Sequence, residues 1–210
     1  MIGLGRFGAS VARNLAALGQ DVIGIDVDED RVRELVREDI YAVQADAMSK
    51  DALKEAGVHN AETVIIAIGE NIEASILATM ICKDLGIPQI ITKADNSVHA
   101  DVLRHIGIDR VVFPEEESGA RLARSLVSGM LLDYIDMAPG VSIMELHVPE
   151  KFAGKSLAEL QLRKKFGISI LVIKRGDEVI VSPYGDNVLE AGDVLIVLGA
   201  RESIERLEAR

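Results

Sequence analysis

Tryptophan is absent from this chain of 210 residues, and Phe and Tyr make up only 3% of it. So few rings leave nothing for the stacking platforms on which single-stranded nucleic acids lie. Positive charge is also short: 23 Lys and Arg stand against 34 Asp and Glu, a formal net charge of −11. Such a chain repels phosphodiester backbones, so no nucleic-acid partner is expected. The single cysteine, Cys82, excludes an intrachain disulfide and fits a reducing compartment. It lies in the helical apolar stretch ILATMICKDLG, where a small buried side chain is the expected role. No apolar run approaches the roughly 18 residues of a membrane-crossing helix, and no signal peptide is visible. Direct membrane insertion is not expected, so a link to a membrane must run through a partner protein.

The patterns of most catalytic sites are missing too. There is no zinc-ligand spacing, no G-x-S-x-G and no P-loop. His59, His99, His105 and His147 are scattered without a suggestive partner, and His99 and His105 are six apart on one predicted helix, hence not on one face. Catalysis is therefore not expected.

What the chain has in quantity is apolar residues, 49% of the total, enough to bury a core. Short β-rich runs at Asp21–Asp26, Ile40–Asp46, Thr63–Ile68, Gln89–Thr92 and Arg110–Phe113 alternate with helical spacing at Ala9–Leu18, Arg31–Arg37, Ser49–Ala56, Ile72–Leu85 and Ser97–Ile106. That alternation is the mark of βαβ units. The predicted fold class is α/β: a Rossmann-like doubly wound parallel sheet (residues 1–117), a crossover helix (118–138) and a small α+β C-terminal module (139–210). The helix is read over Ser118–Ile135, where Leu122, Leu126, Met130 and Tyr134 recur every four residues. In the last module Ser142–Val148, Ile168–Lys174, Val179–Ser182 and Val194–Leu198 read as strands. Ser156-Leu157-Ala158-Glu159 reads as a capping box, Arg175–Glu178 as a hairpin turn, Ala191-Gly192-Asp193 as another turn, and Glu202–Glu208 as a terminal helix.

The chemistry concentrates at the start of the chain. Gly3-Leu4-Gly5-Arg6-Phe7-Gly8 matches G-x-G-x-x-G. The first glycine makes a tight turn, the second lets the backbone approach a pyrophosphate, and the third lets helix and strand pack closely. The helix that follows aims its N-terminal amides at the anion. Asp26 lies 18 residues after Gly8, near the distance of a ribose-binding acid. Its carboxylate accepts from ribose hydroxyls and repels a 2′-phosphate, which disfavours NADP. Arg6 inside the loop favours more phosphate charge than a dinucleotide supplies, and so ATP or ADP. Two other readings stay open: a Gly-rich turn kept for packing, and an Arg6 that points to solvent. Only Met1 and Ile2 precede Gly3, whereas a strand averages five residues. A missing strand would unpair the sheet's centre, so further N-terminal residues are expected in the natural protein.

Ligands of open α/β sheets bind beyond the strands' C-terminal ends, which adds Ala45, Asp46, Gly69, Asn71, Lys93 and Glu115 as candidates. Lys93 is placed to reach a phosphate. Glu115–Glu117 reads either as a Mg²⁺ or Ca²⁺ site built on Glu115 or as a solvated acidic start to a helix.

The segments IGLGRFG, VIGIDVDEDRV, VIIAIGENIEAS, ITKADN and VVFPEEESGARLA resemble the RCK (KTN) domain of bacterial potassium-uptake regulators of the KtrA/TrkA type. KFAGKSLAELQLRKKFGISILVIKRGDEVIVSP and LEAGDVLIVLG resemble the RCK C-terminal (TrkA-C) module. The resemblance covers essentially the whole chain. It implies a cytoplasmic gating subunit, a homodimer assembling into an octameric ring beneath an integral-membrane potassium transporter. It implies ATP and ADP at the Gly-rich loop, with NAD(H) the alternative: Gly3, Gly5 and Gly8 carry the loop, Arg6 reaches a γ-phosphate across a dimer, Asp26 takes the ribose, Lys93 sits near phosphates, and Glu115 holds a divalent cation. It also implies cyclic di-AMP in the C-terminal module, near Arg163, Ile168, Ile170 and Pro183, although Ile168 and Ile170 also fit ordinary strand core. A dehydrogenase or NAD(H)-linked redox sensor is the competing reading.

Overall fold

The computed structural model describes residues 1–108, 110–127, 131–200 and 202–203. They form two compact units, Met1–Glu116 and Glu117–Arg210.

The first unit alternates helix and strand in order: α1 (Arg6–Ala17), β1 (Gly24–Asp26), α2 (Glu29–Arg37), β2 (Ala42–Gln44), α3 (Lys50–Glu55), β3 (Thr63–Ile66), α4 (Ile72–Asp84), β4 (Gln89–Lys93), α5 (Ser97–Ile106) and β5 (Arg110–Val112). Four helices open on a side chain that accepts a backbone N–H: Asp28 from Asp30, Ser49 from Ala52, Asn71 from Ala74 and Asn96 from His99. Each such cap is worth about 1 kcal/mol and fixes where the chain turns from strand into helix. β1 pairs with β2, and β3–β4–β5 pair in that order, all parallel.

Ile2 lies at the centre of the sheet. Ile2 forms parallel bridges to both Ile25 and Ile66. Its N–H donates to Ile65 O at 2.8 Å and its carbonyl accepts from Ala67 N at 2.7 Å. Gly3 N donates to Ile25 O at 2.8 Å on the other side. One residue thus does the work of a central strand, and the order β2–β1–Ile2–β3–β4–β5 is the doubly wound 3-2-1-4-5-6 arrangement. Ile2, Ile25 and Ile66 are almost fully buried and form the middle of the main core. Cys82 lies in the same core, and burial pushes its thiol up to about 11, so it stays protonated.

Helix α6 (Pro114–Val127) leads into the second unit, whose strands are β6 (Leu131–Ala138), β7 (Val141–His147), β8 (Ser169–Arg175), β9 (Glu178–Val181) and β10 (Val194–Gly199), with short helices α7 (Leu157–Leu160) and α8 (Leu162–Phe166). The sheet is antiparallel in the order β6–β7–β10–β8–β9. The capping box is formed: Ser156 accepts from Glu159 N while Glu159 accepts from Ser156 N. Met144, Leu146, Ile168, Ile173, Leu195 and Val197 make up much of the core.

One long helix over 118–135 is overturned. α6 stops at Val127, and residues 131–138 form β6, paired with β7 around a two-residue turn. Pro139 and Gly140 (φ +78°) occupy the centre of that turn, Pro supplying a fixed φ and Gly the left-handed one. Tyr134 and Ile135 are good strand formers, and the hairpin gives this segment a ladder partner that a helical period lacks. Leu122 and Leu126 are exposed, so the four-residue spacing marks no face buried within this chain. Met130, and all but the start of the predicted helix Glu202–Glu208, lie outside the described residues.

Candidate nucleotide-binding site

The three loop glycines answer to different constraints. Gly3 has φ +90°, and a Cβ there would meet the Ala67 carbonyl carbon at 2.9 Å. A Cβ on Gly8 would lie 1.9 Å from Gly3 O, so α1 packs on the loop only because Gly8 has none. Packing therefore explains Gly3 and Gly8. It does not explain Gly5: its φ is −65°, and among the described residues a Cβ would meet no atom within 4 Å. Gly5 stands open at the head of α1, whose first residues, Arg6 and Phe7, are exposed and half-buried.

Asp26 ends β1 and is 6% exposed. Its Oδ2 accepts from Leu4 N at 2.6 Å and its Oδ1 from Asp28 N at 2.9 Å. The acid thus clamps the glycine loop from beneath, a role the spacing alone did not reveal. Arg31, on α2, brings NH1 to 3.5 Å from Asp26 Oδ2 and Nε to 3.6 Å from Asp28 Oδ2. Sequence reasoning missed Arg31; the signal was its place three residues after the Asp28 cap.

The remaining strand-end candidates fall at the same edge of the sheet. Half-buried Ala45 donates its N–H to Asp26 O at 3.0 Å. Asp46 is exposed and accepts from Met48 N at 2.9 Å. Asn71 caps α4. Gly69 leaves room for Lys93: a Cβ on it would lie 3.2 Å from Lys93 Nζ. Lys93 Nζ donates to Glu115 Oε1 at 2.5 Å. That bond, together with the charge of Arg6, holds the Glu115 carboxyl below the usual carboxylate range. Lys93, Glu115 and Arg6 therefore share one electrostatic neighbourhood.

The cation reading of Glu115 does not fit this chain alone. Its carboxylate is engaged by an ammonium, and among the described residues no three His, Cys, Asp or Glu gather to hold a metal ion. His99 also has a setting that the sequence did not show. It is buried, its Nδ1 accepts from Asp95 N at 3.3 Å, and its Nε2 has no hydrogen-bond partner among the described residues.

In the second unit the four expected pocket residues part company. Arg163 is exposed on α8 and Pro183 is half-buried. Ile168 is 1% exposed in the core, so it has no surface to offer a ligand. Ile170 packs against that core. Ile168 precedes β8 and belongs to the core, whereas Ile170 on β8 is half-buried and keeps part of its surface.

Among the described residues no helix is long and apolar enough to cross a membrane. The TrkA-N domain family matches residues 1–114 and the TrkA-C domain family residues 141–210. The chain is 44% identical over 210 residues to Ktr system potassium uptake protein C of Bacillus subtilis, covering all of this chain and 95% of that one. It is 39% identical over 208 residues to Ktr system potassium uptake protein A of the same organism, covering 99% and 94%. Among solved structures, the GsuK RCK domain aligns with a TM-score of 0.54 at 26% identity, covering 99% of this chain and 45% of that one. The GsuK channel bound to NAD aligns at 0.53 and 26%, covering 99% and 37%. The chain thus spans less than half the length of those two structures.

Proposed function

The chain belongs to the family of potassium-uptake proteins built from TrkA-N and TrkA-C domains, and from that premise we propose that it is a cytoplasmic, nucleotide-sensing gating subunit rather than an enzyme. The observation that carries this reading is Gly5, a glycine the fold itself does not require, set at the head of α1 with Asp26 beneath it. ATP or ADP places its phosphates along Gly5 and the α1 amides and its ribose at Asp26. Arg6 and Lys93 answer the terminal phosphates. The subunits act as a homodimer within an octameric ring that docks on an integral-membrane potassium transporter. Sensing requires ATP and ADP to differ in affinity between two ring shapes, because equal affinity shifts nothing. Cyclic di-AMP in the C-terminal module belongs to the same reading through Arg163, Ile170 and Pro183, which keep surface to offer.

The likeness to an NAD-bound channel favours a second reading, an NAD(H)-linked sensor or dehydrogenase. Competition calorimetry with ATP, ADP, NADH and NADPH separates the two. Displacement of ATP by ADP with weak NADH supports the first. Tight NADH, or turnover of a nicotinamide cofactor, supports the second.

A further inference from the structure

We propose that Arg31 is a positioning residue that makes the Asp26 carboxylate selective for a sugar hydroxyl; this rests on the nucleotide reading above. Arg31 is the third residue of α2, in the first turn, where the helix dipole disfavours a cation and Glu is the residue that completes a capping box. Its guanidinium is nonetheless turned back toward Asp26 and Asp28. About half of the Arg31 side chain is exposed, so a surface ion pair does little to explain its placement through stability.

The acceptor count at Asp26 supplies the explanation. A carboxylate offers about four acceptor positions. The backbone N–H groups of Leu4 and Asp28 take one on each oxygen. Arg31 NH1 faces Oδ2 at 3.5 Å, beyond the usual 2.7–3.2 Å of an N–H···O bond. Donor and acceptor are thus aligned but slack. A hydroxyl seated between them satisfies both: its O–H donates to Asp26 while its oxygen accepts from Arg31. A sugar carbon lacking the hydroxyl leaves both groups facing one another across the slack contact. Arg31 also neutralises two neighbouring carboxylates, which keeps Asp26 in the orientation that Leu4 and Asp28 set.

The test is calorimetric binding of ATP, 2′-deoxy-ATP and 3′-deoxy-ATP to the full chain and to Arg31→Ala and Arg31→Lys. A charge-assisted bond to the hydroxyl predicts about a tenfold preference of the wild type for ATP over one deoxy analogue. Arg31→Ala is expected to reduce that preference below about threefold, and Arg31→Lys, which keeps the charge, to restore part of it. If Arg31→Ala weakens all three ligands alike and the preference survives, the positioning role is wrong while the nucleotide site stands. If the wild type binds none of the three, the nucleotide reading itself falls.

Discussion

The ammonium of Lys93 donates to the carboxylate of Glu115 at 2.5 Å, joining the end of β4 to the first turn of α6. Lys93 is mostly buried, with its side chain 13% exposed, while Glu115 is largely in solvent. A phosphate arriving at Lys93 must take this ammonium from Glu115. In buffer free of divalent cations, Glu115→Gln is therefore expected to tighten ATP and ADP by roughly three- to tenfold, part of the worth of one charge-assisted bond, since the amide still accepts from Lys93. Lys93→Ala should weaken both. Calorimetry without divalents reads the sign, and an unchanged or weaker ATP affinity in Glu115→Gln removes the competition.

Gly5 and Gly8 offer a paired comparison. Gly5→Ala meets no atom, and as an N-cap change it should cost about 1 kcal/mol or less of unfolding free energy. The same methyl lies where a phosphate should pass, so ATP affinity should fall by more than about thirtyfold, over 2 kcal/mol. Gly8→Ala drives a Cβ into Gly3 O and should destabilise the first unit by roughly 3 kcal/mol or more, since backbone must move. Urea melts and calorimetry on both variants separate a ligand glycine from a packing glycine. A Gly5→Ala protein that binds ATP normally returns the loop to a packing role.

Much of the first unit is legible because its signals are local. Strand and helix alternate at the predicted places, the caps at Ser49 and Asn71 sit at predicted helix starts, and the glycines stand where loop meets helix. What the sequence hides is pairing at a distance. The strand formed by residues 131–138 was masked by a four-residue apolar spacing, and only its hairpin with Val141–His147 decides its conformation. A single residue, Ile2, can close a sheet because its neighbours supply all the ladder partners, which strand-length averages do not foresee. In the site, Asp26 was legible by spacing, whereas its grip on Leu4 and the approach of Arg31 depend on tertiary placement.

Asp193 illustrates the same limit, for the sequence marks only a turn there. Its side chain is almost fully buried and accepts from Arg175 Nε at 2.9 Å, Arg175 NH2 at 2.8 Å and Glu190 N at 2.8 Å. The Arg175 guanidinium holds the Asp193 carboxyl below the usual range. Arg175→Ala strands a buried carboxylate and is expected to cost about 3 kcal/mol, read by urea denaturation of the second unit's signals. The depressed carboxyl contributes stability that is present above its ordinary value and is lost as pH falls through its lower folded value. Acid unfolding should therefore begin at higher pH in Arg175→Ala. A variant within about 0.5 kcal/mol of wild type makes the pair dispensable.

His99 carries the clearest pH prediction for the first unit. Burial lowers its pKa, partly opposed by the charge of Asp95, which is the charged group set against it. The ring accepts a proton-bearing backbone N–H at Nδ1, so its own proton resides on Nε2. Protonating Nδ1 breaks the bond to Asp95 N and places a cation in the first turn of α5, where the helix dipole opposes it. The folded chain binds this proton more weakly than the unfolded chain, whose histidine has a pKa of about 6.5. The neutral ring's contribution is thus complete above that value and is lost as pH falls through it toward the lower folded value. Gln at this position accepts the same N–H without titrating. The melting temperature of the wild type should drop more between pH 7.5 and pH 5.5 than that of His99→Gln. In proton NMR the His99 ring should titrate below the ordinary histidine value of about 6.5. Equal drops in the two proteins, or a ring that titrates at or above the ordinary value, would show that the buried imidazole does not set the acid limit of this unit.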